Sequence, residues 1–64
     1  MGFETKVLDV VSKVTADEAY FYNGTMFVEC TARAAAQIET ILLQKFNTGI
    51  IVSSVDGEFA FDFV

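Results

Sequence analysis

The sequence predicts a small two-layer α+β domain: a mostly antiparallel sheet of about five strands with one helix packed on one face. Three observations carry this. The stretch ARAAAQIETILLQKFN has apolar residues at three- and four-residue intervals. Asn23-Gly24 and Asp56-Gly57 each lie between two short apolar runs, and both dipeptides suit tight hairpin turns. The order that follows is β-β-β-α-β-β.

The first segment, FETKVLDVVSKVTADE, fits two patterns. Phe3, Val7, Val10, Val11 and Val14 make a helical stripe, whereas four valines and Leu8 suit a strand. Valine loses side-chain freedom in a helix, which favours a strand over about residues 5–14. Next, Asn23-Gly24 joins Ala19–Tyr22 to Thr25–Cys30 as a hairpin. Thr31 then caps a helix whose apolar stripe is Ala34, Ala35, Ile38, Ile41, Leu42 and Phe46. Lys45 in its last turn favours the helix dipole, and Gly49 supplies a stop. Asp56-Gly57 closes the second hairpin, GIIVSSVDGEFAFDFV.

Two-residue turns fix register, and register sorts side chains between faces. In the first hairpin Tyr22 pairs with Thr25 and Tyr20 with Phe27; in the second, Val55 pairs with Glu58 and Val52 with Phe61. The greasier faces then give a core of Phe21, Met26, Val28, Ile50, Val52, Phe59, Phe61 and Phe63 under the helix. The opposite face carries Tyr20, Tyr22, Phe27, Ile51 and Val55, edged by Glu29, Glu58 and Asp62. One helix is about 10 Å wide and covers only one side of a sheet. These eight residues are therefore the candidate protein-binding surface.

At 64 residues the chain is read as one domain, residues 1–64. Only roughly 60% of the unfolded surface is buried at this size, so stability is marginal without added support. Cys30 is the only cysteine, which excludes an internal disulfide and suits a reducing cytoplasm. Self-association is the support that remains, so a homo-oligomer is expected. Seven phenylalanines and two tyrosines argue against disorder. No run reaches the ~18 apolar residues of a membrane span, and no signal-peptide pattern opens the chain. The expectation is a soluble cytoplasmic protein.

Nine acids against four bases give a net charge of −5, which repels phosphate backbones and disfavours direct nucleic-acid binding. A basic protein surface is the better electrostatic match. The chain has no histidine, so the commonest acid–base group and metal ligand is missing. Cys30 lies near a helix start, where a thiol can be activated, but the absence of a histidine base makes an inert cysteine the better reading. The carboxylates Asp56, Glu58 and Asp62 in DGEFAFD do not have the spacing of a calcium loop. They are read as solvated turn and edge charges that discourage aggregation. The sequon at Asn23 is explained by the tight turn, and the phenylalanine ladder by core packing rather than a ligand pocket. No catalytic residue, cofactor or metal is expected.

The layout of hairpin, helix and strand resembles small acidic bacteriophage proteins that dock onto host enzymes, such as the T7-type inhibitors of bacterial RNA polymerase. That likeness is one of size and element order, and no functional residue carries over from it. It implies a phage-type regulator of a host protein. The sequence thus points to a non-enzymatic interaction module, with an acidic mimic of nucleic acid as the alternative. A third class, a small enzyme or carrier using Cys30, ranks lowest.

Overall fold

The segment expected to open the sheet is a helix. In the computed structural model, which describes residues 2–64, α1 spans Phe3–Val14, β1 Ala19–Tyr22, β2 Thr25–Val28, α2 Ala32–Phe46, β3 Ile50–Val55 and β4 Glu58–Phe63. The element order is therefore α-β-β-α-β-β, and the sheet among the described residues has four strands, not about five. Periodicity decided against valine's strand preference. As a strand, residues 5–14 would place Asp9 and Lys13 on the same face as Val7 and Val11. As a helix, they expose Lys6, Asp9 and Lys13 while burying Val7 and Val11. The propensity cost is a few tenths of a kcal/mol per valine, against roughly 1.5–3 kcal/mol for burying each side chain.

Both hairpins form in the expected register, with Tyr20 opposite Phe27 and Val52 opposite Phe61. Asn23 and Gly24 have φ of 51° and 81°, Asp56 and Gly57 47° and 82°, the paired positive values of a type I′ turn. The hairpins join through β2 and β4, which pair antiparallel with Met26 opposite Phe61 and Phe27 opposite Ala60. The sheet order is β1-β2-β4-β3, so β2 and β3 run parallel with β4 inserted between them. The α2 crossover thus makes a split β-α-β unit.

Thr31 caps α2 as expected, its hydroxyl accepting from the Ala34 N–H at 3.2 Å. The stop is Asn47, in the left-handed region at φ 49°, rather than Gly49. Gly49 serves another purpose. A Cβ there would lie 2.7 Å from Val64 Cγ2, where the Val64 N–H donates to the Gly49 carbonyl at 2.9 Å.

The core joins Val7 and Val11 of α1, Ile38 and Leu42 of α2, and Met26, Val28 and Phe61 of the sheet, all essentially inaccessible. Phe21, Ile50, Val52, Phe59 and Phe63 pack against this cluster half-buried. Two helices therefore share the face expected to carry one. Phe3 closes the end of the core edge-on, 5.4 Å from both Phe46 and Phe63.

Candidate interaction face

No helix covers the other side of the sheet. Alternation sends Phe21, Met26, Val28, Phe59, Phe61 and Phe63 toward the helices, and the residues between them outward. The strand pairings then arrange the outer face in rows. One row reads Tyr22, Thr25, Asp62, Ile51 from β1 to β3, and the next reads Tyr20, Phe27, Ala60, Ser53. Glu58 and Val55 begin a third, toward which Glu29 continues from β2.

The sequence reasoning therefore assigned Tyr20, Tyr22, Phe27, Ile51, Val55, Glu58 and Asp62 to the side on which they stand, and Glu29 is exposed just beyond β2. Tyr22 is 65% exposed, Ile51 57%, Tyr20 45% and Val55 44%. Phe27 is half-buried because the Tyr20 ring stacks on it, centroids 5.5 Å apart and planes 22° apart. The Tyr20 hydroxyl donates to Glu58 Oε1 at 3.2 Å, and Thr25 donates to Asp62. The aromatic centre and the acids are thus hydrogen-bonded parts of one surface. Ile51 and Val55 stand on β3 on either side of Ser53, with Asp62, Ala60 and Glu58 of β4 between them and the aromatic pair.

Two further carboxylates join this face. Asp17 and Glu18, in the loop before β1, line a depression of about 240 Å³ with Tyr20, Glu29 and Glu58. Partial desolvation raises the Tyr20 phenol above 10.0, and the hydrogen bond and charge of Glu58, then Glu29 and Glu18, raise it further. Asp17 and Glu18 precede Tyr20 directly and face Glu29 through the local β1-β2 hairpin, whereas Glu58 joins them only through the β2-β4 pairing; the sequence reading names Glu29 and Glu58 and omits the two loop acids. Among the described residues no group of three or more acids and cysteines is arranged to hold a metal ion.

Charge is segregated across the molecule. All four cations, Lys6, Lys13, Arg33 and Lys45, lie on the helices together with Glu4, Asp9 and Glu39. The other six acids, Asp17, Glu18, Glu29, Asp56, Glu58 and Asp62, lie on strands and loops with no cation among them. Cys30 is half-buried, and desolvation followed by the charge of Asp17 pushes its thiol pKa up. That direction disfavours the thiolate and hence nucleophilic chemistry. No described helix is long and apolar enough to cross a membrane.

No protein-family model matches this chain, and no curated protein or solved structure matches it significantly.

Proposed function

We propose that this chain is a non-enzymatic interaction module that binds a protein through the outer face of its sheet, centred on Tyr20, Tyr22 and Phe27. The observation that carries the reading is a helix-free face on which a stacked tyrosine–phenylalanine pair is hydrogen-bonded into an acidic rim. Aromatic residues supply much of the energy in binding hot spots, and carboxylate rims select cationic surroundings. The partner that fits is a protein with an apolar patch bordered by lysine or arginine. Regulation of a host protein in the manner of phage inhibitors is the more particular form of this reading.

The test is capture from native extract with the parent chain and with Tyr22→Ser/Phe27→Ser. Loss of a specifically captured protein in the variant, with the fold retained, supports the reading. Equal capture by both chains opposes it.

The carboxylates gathered around Tyr20 favour one second reading, an acidic mimic that blocks a nucleic-acid-binding protein. Such a complex depends chiefly on charge and dissociates as salt shortens the screening length to about 3 Å at 1 M. Binding through the aromatic centre persists there.

A further inference from the structure

The two edges of the sheet are unlike. β1 is four residues long and follows Asp17-Glu18, whereas β3 is six residues long and uncharged. From Phe46 to Val55 the chain has no charged residue and no proline. Lysine, proline and inward-pointing charge are the usual guards of an exposed edge, and β3 has none of them. β3 itself brings no acid to a second copy, which limits the repulsion that a net charge of −5 otherwise sets against self-association.

The backbone sets which groups are free on this edge. The Val64 N–H donates to the Gly49 carbonyl at 2.9 Å, so Gly49 and Val64 belong to a hydrogen-bonded pair. Bonded and non-bonded pairs alternate along an antiparallel ladder. Ile51, Ser53 and Val55 therefore direct their backbone groups to β4, and Ile50, Val52 and Ser54 direct theirs outward.

We propose that β3 pairs antiparallel with β3 of a second copy about a two-fold axis through Val52, normal to the sheet. Val52 then lies opposite Val52 of the second copy, Ile50 opposite Ser54, and Ile51 opposite Ser53. This register uses the outward groups of Ile50, Val52 and Ser54 in both chains. A one-residue shift sets helix-side residues against outer-face residues, placing the helix layers on opposite sides. A two-residue shift strands the groups of Ile50 or Ser54. The product is a continuous sheet twice the width of one copy, with half-buried Ile50 and Val52 covered along the seam. Asp17, Glu18 and Glu29 of each acidic corner lie on the β1-β2 side, away from the seam, and only Glu58 stands on the strand next to β3. This pairing does not rest on the outer face binding another protein, and it needs only the isolated chain.

The mass in solution and the register test it. Sedimentation across a dilution series is expected to give twice the chain mass of 7.0 kDa at high concentration. Val52→Pro removes an outward N–H while leaving the β3–β4 ladder intact, and is expected to give a monomer with unchanged circular dichroism. In a Cys30→Ser background, Val52→Cys is expected to oxidise to a cross-linked dimer, because paired Cα atoms lie within the ~4.4–6.8 Å that a disulfide spans. Ser54→Cys is expected not to cross-link, since its two copies are separated by four strand positions, about 13 Å. This cysteine pair reports on the register even if Val52→Pro fails to fold. A parent that is monomeric throughout overturns the proposal, as does a folded Val52→Pro dimer. Cross-linking at Ser53→Cys or Ser54→Cys in preference to Val52→Cys also overturns it.

Discussion

The ring of Tyr20 lies stacked on Phe27, 5.5 Å between centroids, while its hydroxyl reaches across β2 to Glu58. One residue thereby ties an apolar pair to the acidic edge of a surface that neither helix covers. Tyr22, two positions along β1, has no such tie and is the most exposed of the aromatics on this face. Tyr22→Ser is expected to change folding stability by no more than about 0.5 kcal/mol in urea titration, while weakening partner binding measurably. A large stability loss would place Tyr22 in the fold rather than at the interface.

The Tyr20 phenol provides a spectroscopic handle. Its pKa is raised, so one of the two phenolates is expected to form above 10.0 in an ultraviolet titration. Glu58→Gln removes both a charge and a charged acceptor, and is expected to bring that titration down. The sign for stability follows. A pKa raised on folding contributes stability that is fully present below the unfolded value of 10.0 and is lost as pH rises through the folded value. The loss is thus confined to strongly alkaline solution, and it shrinks in Glu58→Gln.

Cys30 is half-buried beside Asp17, and both effects disfavour its thiolate. Labelling by a thiol reagent near neutral pH is expected to be several-fold slower than for the unfolded chain, and denaturant is expected to restore the rate. Fast labelling of the folded protein would reopen the enzyme or carrier reading.

Much of the fold was legible because its signals are local. Asn-Gly and Asp-Gly turns fix register within a few residues, so the two faces could be sorted before any strand order was known. The α2 stripe is equally local. The α1 helix was obscured because valine at four positions speaks for a strand, and only the placement of Asp9 and Lys13 among Val7 and Val11 speaks against it. The β2–β4 pairing is long-range and left no local mark. Without it, Glu58 could not be set beside Tyr20, nor beside Asp17 and Glu18, which precede Tyr20 directly in the sequence. Asn47 takes the left-handed stop that a glycine favours, so the nearby Gly49 is a misleading signal for the helix end.

The role of α1 in the core is directly testable. Val11 is buried in one cluster with residues of the sheet and of α2, so Val11→Ala removes apolar contacts that a five-strand sheet would not supply in this way. The expected loss is about 1–3 kcal/mol in urea titration. Leu42→Ala is expected to cost about 2–5 kcal/mol, enough to unfold much of a marginal domain of this size. Val10→Ala, on the half-buried flank of α1, is expected to cost less than Val11→Ala.

The most direct test of the proposed docking surface is residue-level NMR of the labelled chain, titrated with a protein captured as above. Shifts are expected at Tyr20, Tyr22, Thr25, Phe27, Glu58 and Ala60, with Lys13, Gln37 and Gln44 on the solvent side of the helices unmoved. A perturbation confined to the helix surface, with the outer sheet face unchanged, would contradict the account.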